Sequence, residues 1–154
     1  MIVGVIGAGQ MGAGIAQVSA GAGHDVLLSD IDIARAEAGK AGIAKALGRL
    51  VAKEKMTQAD ADALLGRITP VADHAAFAPA DLVVEAATER EEIKRAIFAS
   101  VGEHLSATAI LASNTSPIPI TRLAQAAPAP ARLIGAHLSN PAPPTGPTPL
   151  LRRP

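Results

Sequence analysis

An apolar run, a glycine-rich hexapeptide and one acid, all within the first thirty residues, constrain this chain more than any other feature. Residues 2–6 (IVGVI) are apolar and rich in β-branched side chains, the pattern of a buried parallel strand. Gly7-Ala8-Gly9-Gln10-Met11-Gly12 follows, then AGIAQVSAGAG, a small-residue helix closed by Gly21 and Gly23. DVLLSD (25–30) reads as a second strand ending in Asp30. A G-x-G-x-x-G turn between strand and helix, with an acid about twenty residues on, is the pattern of a dinucleotide-binding βαβ unit. In that unit Gly7 permits the tight turn, Gly9 lets a pyrophosphate approach the backbone, and Gly12 lets the helix lie close to the strand. Gln10 and Met11 open the helix, whose N-terminus offers N–H groups and partial positive charge to phosphates. Asp30 is expected to accept the adenosine ribose hydroxyls. A carboxylate there repels a 2′-phosphate, Asp32 adds to this, and no Arg stands beside them in the sequence, so NAD is expected over NADP. The competing reading gives the glycines only a turn to make and Asp30 only a helix to cap.

The alternation continues along the chain. Residues 33–53 have helical spacing, with Ile43, Leu47, Leu50 and Val51 on one face. Thr57 with Asp60 reads as the start of a second helix, so the two form a hairpin between strands. Further strands are expected at 68–71, 81–87, 109–113 and 132–138. Glu89 to His104 is expected to be an amphipathic helix with Ile93, Ile97, Phe98 and Val101 inward. Residues 120–127 (ITRLAQAA) are a short helix after two prolines. The sum is an α/β domain over residues 1–140: a Rossmann-type, doubly wound, mainly parallel sheet with a helical-hairpin insertion. From Pro141 to Pro154 six of fourteen residues are proline, which forbids helix and central strand, so an irregular tail is expected.

Bulk composition narrows the function. The 154 residues suit one domain, and 49% apolar content supports a packed core. Much of that content is Ala, with Phe77 and Phe98 the two aromatics, so the core should be thin and depend on close helix–sheet contact. Fourteen basic residues balance fourteen acidic ones, and Trp and Tyr are absent, which argues against a nucleic-acid partner. Without cysteine there is no disulfide or thiolate site, which suits the cytoplasm. The run VGVIGAGQMGAGIAQVSAGAG is interrupted by Gln10, Gln17 and Ser19 and lacks the density of a membrane span. No cationic segment precedes it to make it a leader.

Four stretches together resemble the NAD-binding domain of the L-3-hydroxyacyl-CoA dehydrogenases, including the 3-hydroxybutyryl-CoA dehydrogenases. They are VIGAGQMGAGIAQVSAGAGHDVLLSD, DLVVEAATEREEIKRAIF, LASNTSPIPIT and GAHLSNP, and the likeness covers about residues 2–141. The resemblance implies that Glu89 and Lys94 contact the cofactor. Read alone they are a solvated pair at a helix start. It implies that Ser116 hydrogen-bonds the substrate's 3-oxygen, that Asn114 lies on the nicotinamide side, that His137 is the catalytic base and that Asn140 faces the substrate. Pro117 and Pro119 depart from the usual sequence of that loop. His24, His74 and His104 are read as structural or merely exposed. The implied reaction oxidises an L-3-hydroxyacyl-CoA to the 3-ketoacyl-CoA. Imidazole takes the hydroxyl proton while hydride leaves for the nicotinamide.

The chain departs from that family after Asn140. The family places a Glu about twelve residues past the His. Here that position is Pro149, and no acid follows Glu103. The family's helical C-terminal domain has no counterpart, which leaves an apolar face to be covered by self-association or by a separately encoded domain. The tail suits a shifted or prematurely ended reading frame. Weak NAD binding and little turnover are therefore expected of these 154 residues alone, since acid–base catalysis is worth about 10²–10⁴ in rate. The rival readings are a non-enzymatic NAD-binding fragment or defunct gene product, and another Rossmann dehydrogenase acting on a hydroxy acid.

Overall fold

The computed structural model of the chain describes residues 1–114, 118–136 and 150–151. Six short strands alternate with helices: β1 (Ile2–Ile6), α1 (Gln10–Gly21), β2 (Asp25–Ser29), α2 (Ile33–Ala52), α3 (Gln58–Gly66), β3 (Ile68–Pro70), β4 (Leu82–Glu85), α4 (Glu91–Gly102), β5 (Ile110–Ser113), α5 (Ile120–Ala124) and β6 (Leu133–Ala136). A 3₁₀ turn at His74–Phe77 joins β3 to β4, and another at Pro130–Arg132 leads into β6. These six strands lie in the order β3-β2-β1-β4-β5-β6, all parallel, with Val3 beside Val26 on one side and Leu82 on the other. This is the doubly wound order, and its switch point falls between β1 and β4. No helix among the described residues is long and apolar enough to cross a membrane.

Strand alternation divides the core between the two faces. Val3, Val5, Val26, Leu28, Val84 and Ala112 pack against α1 and the α2–α3 hairpin, through Ile15, Ala16, Ile43, Leu47 and Leu64. Ile6, Val83, Leu111 and Leu133 face the other way, onto Phe77, Phe98, Val101 and Leu123. Both phenylalanines are thus on the second face, and the first is closed by aliphatic side chains and alanine, as the composition led us to expect. Leu50 and Val51 complete the predicted stripe of α2 as partly buried neighbours of the first core.

The helix starts follow local chemistry. Thr57 Oγ1 accepts the Asp60 N–H at 3.1 Å, an N-cap of the kind read from the sequence. At α2 the cap is Asp32, whose Oδ1 accepts the Arg35 N–H at 2.8 Å. Asp30 is therefore left free of that duty, contrary to the reading that made it a helix cap. Helix α4 begins at Glu91, two residues later than predicted. Glu91 and Glu92 occupy its first turn, where carboxylates favour the helix dipole. The tail was expected to be irregular. Its two described residues, Leu150–Leu151, form a short strand β7 antiparallel to β6, at the sheet edge.

Candidate functional site

The site begins at the turn between β1 and α1. Gly7 has φ +107°, a region that side chains rarely adopt, and a Cβ there would lie 2.6 Å from Ala86 O. Its N–H donates to Ser29 O at 2.8 Å, tying the turn to the end of β2. Gly9 caps α1, and a Cβ at Gly9 would meet nothing within 4 Å. The amides of the first turn of α1 have no partner within the helix, and that turn carries no acid. A Cβ on Gly12 would fall 1.6 Å from Gly7 O, so the helix rests directly on the turn's backbone. These are the features a pyrophosphate needs: open space at Gly9, amide N–H groups at a helix start and a positive helix end. Gly39 of α2 completes the cradle from behind. A Cβ there would lie 2.7 Å from Ala8 Cβ, a close approach with no sequence pattern to announce it.

Asp30 stands beside this turn. Its Oδ2 accepts the Ala8 N–H at 2.7 Å and its Oδ1 accepts the Ile31 N–H at 2.6 Å. Each carboxylate oxygen retains a lone pair for a sugar hydroxyl. The acid is thereby fixed in place by the turn it serves. A crevice of about 1000 Å³ opens above Ile6, Gly7 and Gly9, bounded by Asp30, Ile31, Ala86, Ala87 and Thr88. A shallower hollow of about 500 Å³ lies on the other side of Asp30, against Gly9, Gln10 and Gly39. Arg35, exposed on the first turn of α2, lines both. Asp30 lines the same two hollows, so a cation shares the rim with the acid, a placement that the local sequence around Asp30 did not announce.

Helix α4 is rotated relative to expectation. Ile93 was expected inward, but it is 37% exposed and lines the crevice. Lys94 takes the inward place, with Phe98 and Val101 below it, and all three are buried. The Lys94 Nζ donates to Glu85 Oε2 at 2.6 Å, and both side chains are fully buried. Ser113 Oγ donates to the same oxygen at 3.0 Å, while Glu85 Oε1 accepts the Ala87 N–H at 2.8 Å. The Asn114 N–H donates to Glu85 O at 2.8 Å. One buried acid thus fixes the turn after β4, which floors the crevice, and the start of the segment after β5.

The Lys94 ammonium is paired with Glu85 in this structure. The physical reason is an acid at the carboxyl end of a buried central strand, whose charge needs a cation where solvent cannot reach it. The signal was present in DLVVEAA, an acid inside an apolar strand run. Glu89 is exposed in the turn before α4, and Asn114 is half-buried just past β5. Met11 is half-buried and Gln10 exposed on α1. Ser116, His137 and Asn140 lie outside the described residues. Among the described residues no group of His, Asp or Glu is placed to hold a metal ion.

The far part of the crevice was not foreseen. Ile93, Ile97 and Ser100 line it along one face of α4, His104 lines it from the turn after that helix, and His74 with Ala75 line it from the 3₁₀ turn. The His74 Nδ1 and Ser100 Oγ are 2.8 Å apart. Burial holds the His74 imidazole below its ordinary pKa, with His104 adding to the effect and Asp73 opposing it. The ring is therefore mainly neutral at pH 7.

Comparison with known proteins agrees with this geometry. Residues 2–145 match the family described as 3-hydroxyacyl-CoA dehydrogenase, NAD binding domain. A probable 3-hydroxybutyryl-CoA dehydrogenase of Deinococcus radiodurans is 50% identical over 143 residues, which is 93% of this chain and 51% of that protein. A 3-hydroxybutyryl-CoA dehydrogenase of Bradyrhizobium diazoefficiens is 48% identical, over 92% of this chain and 48% of its own length. The crystal structure of (S)-3-hydroxybutyryl-CoA dehydrogenase from Ralstonia eutropha superposes with a TM-score of 0.93 at 40% identity, covering 98% of this chain and 53% of that one. The chain spans about half the length of the curated relatives it matches.

Proposed function

Because the chain belongs to the 3-hydroxyacyl-CoA dehydrogenase family, through its NAD-binding domain, we propose that it binds NAD in the crevice over Gly7–Gly12 and serves the oxidation of a 3-hydroxyacyl-CoA. The observation that carries this reading is Asp30, held by two backbone N–H groups beside an open Gly9. In this proposal the amides at the start of α1 hold the pyrophosphate, Asp30 the adenosine ribose, and the β4–α4 turn the floor. NAD supplies the hydride acceptor when bound. Residues 1–140 form the binding unit, with 141–154 as a tail. The proton-transfer role of His137, the substrate contacts of Ser116 and Asn140, and the cofactor contacts of Glu89 and Asn114 rest on the family resemblance. An acyl-CoA as partner, a covering surface from a second copy or a separate domain, and a cytoplasmic setting belong to the same proposal.

Titration calorimetry with millimolar NAD tests the binding step. Asp30→Ala is expected to weaken NAD by about 10–100-fold, the worth of hydrogen bonds to a charged group. With the carboxylate gone and Arg35 still in place, NADP is expected to bind the variant at least as tightly as NAD. An unchanged NAD affinity in Asp30→Ala removes the basis of the proposal. Turnover is measured separately, as acetoacetyl-CoA-dependent NADH oxidation. The 154 residues are expected to run far below family rates, because Pro149 stands where an acid would orient His137. Near-family rates would overturn that expectation and leave the binding site intact.

A further inference from the structure

We propose that His74, braced by Ser100, closes the far end of the crevice and recognises the N1/N6 edge of the adenine base. The inference rests on the NAD site proposed above and adds to it a residue that selects the base.

With the ribose held at Asp30 and the pyrophosphate at Gly9, the base leaves the sugar away from the phosphates. Of the two hollows that meet at Asp30, the larger offers it the apolar walls of Ile31, Ile93 and Ile97. Those side chains present apolar surface suited to the faces of a planar ring. Ile31 is 82% exposed, a position that costs least if a ligand covers it. Ile93 to Ser100 is two turns along one face of α4, about 10 Å, so Ser100 lies beyond the apolar stretch rather than beside it. At that depth the wall turns polar, at His74 and Ser100. A purine with apolar faces and a polar edge matches this order of surfaces.

The imidazole can serve adenine in either tautomer. If Nδ1 donates to Ser100 Oγ, Nε2 accepts an N6 hydrogen. If the serine hydroxyl donates instead, Nε2–H donates to N1. The neutral ring that burial favours is the form with both options open. Ionisable neighbours that act on the ring are Asp73, adjacent in the chain, and His104, from the turn after α4.

Affinities of NAD and of its 1,N6-etheno derivative for the 154-residue chain test this. The etheno bridge removes the N6 hydrogens and the N1 lone pair and adds bulk at that edge. The parent chain is expected to prefer NAD by about fivefold or more, the equivalent of one net hydrogen bond. His74→Ala is expected to bring the ratio close to one, and His74→Asn, which keeps a hydrogen-bonding amide, to restore part of it. Because the readout is a ratio of two ligands on one protein, a general loss of stability does not imitate it. A parent with no preference, or a preference that survives in His74→Ala, overturns the inference while the NAD site stands. Failure of the parent to bind either dinucleotide overturns the site and the inference together.

Discussion

Replacing Lys94 by Met is expected to destabilise the chain by about 3–5 kcal/mol, because it strands the Glu85 carboxylate in a dry interior. Methionine fills similar volume, so the loss is electrostatic and not a cavity. The partners left to Glu85 are the Ser113 hydroxyl and the Ala87 N–H, which cannot neutralise it. For a domain of this size the change corresponds to a fall of about 6–20 °C in Tm, to be read by calorimetry or by circular dichroism. Adding Glu85→Gln to Lys94→Met removes the orphaned charge and keeps an oxygen for the Ala87 N–H. The double variant is expected to recover a large share of the lost stability, a coupling that independent sites would not display. The single variant should also weaken NAD, because Glu85 fixes the turn that floors the crevice. A Lys94→Met chain that melts like the parent and loses only NAD affinity would return Lys94 to the crevice, in the role the family resemblance implied.

Gly9 and Gly12 are three residues apart in one motif, and their alanine variants are expected to fail in opposite ways. At Gly12 the new methyl meets a backbone carbonyl 1.6 Å away, and neither the turn nor α1 can move without breaking the other. Gly12→Ala is expected to cost about 3 kcal/mol or more, at or above the upper range of overpacking, and about 6–12 °C in Tm. At Gly9 the methyl enters empty space at φ −71°, a conformation open to alanine. Gly9→Ala is expected to melt within a degree or two of the parent and to bind NAD about 10–100-fold more weakly, because the methyl occupies the pyrophosphate's place. Equal losses of stability in both variants would mean that Gly9 serves the turn alone. A Gly9→Ala chain that binds NAD normally would place the phosphates elsewhere.

Much of the fold was legible because its signals are local. Continuous apolar runs, the Thr57 cap and the glycine turn each act through a few neighbouring residues, and the bounds of the predicted elements lie within about three residues of the observed ones. The exceptions are instructive. Ile93 and Lys94 exchanged places because hydrophobicity assigns isoleucine to the interior and lysine to water. What reverses that order is Glu85, nine residues earlier and on another element, whose buried charge takes the ammonium inward while a ligand crevice takes the isoleucine. Asp30 and Asp32 likewise divided two duties that the sequence left open between them. The acid nearer the turn took its amides, and the later one took the helix start.

The sequence by itself determined the alternating parallel sheet, the position of the glycine turn and the acid beside it, since backbone sterics and strand periodicity operate over a few residues. Only the tertiary structure decided which face of α4 looks into the crevice, that Arg35 and Asp30 line the same hollows, that Gly39 supports Ala8 from behind, and that His74 and Ser100 meet across two elements. Those outcomes depend on distances between segments far apart in the chain. They follow from how a buried charge, a close helix contact and an open slot are reconciled in one packed body, and no local pattern carries that information.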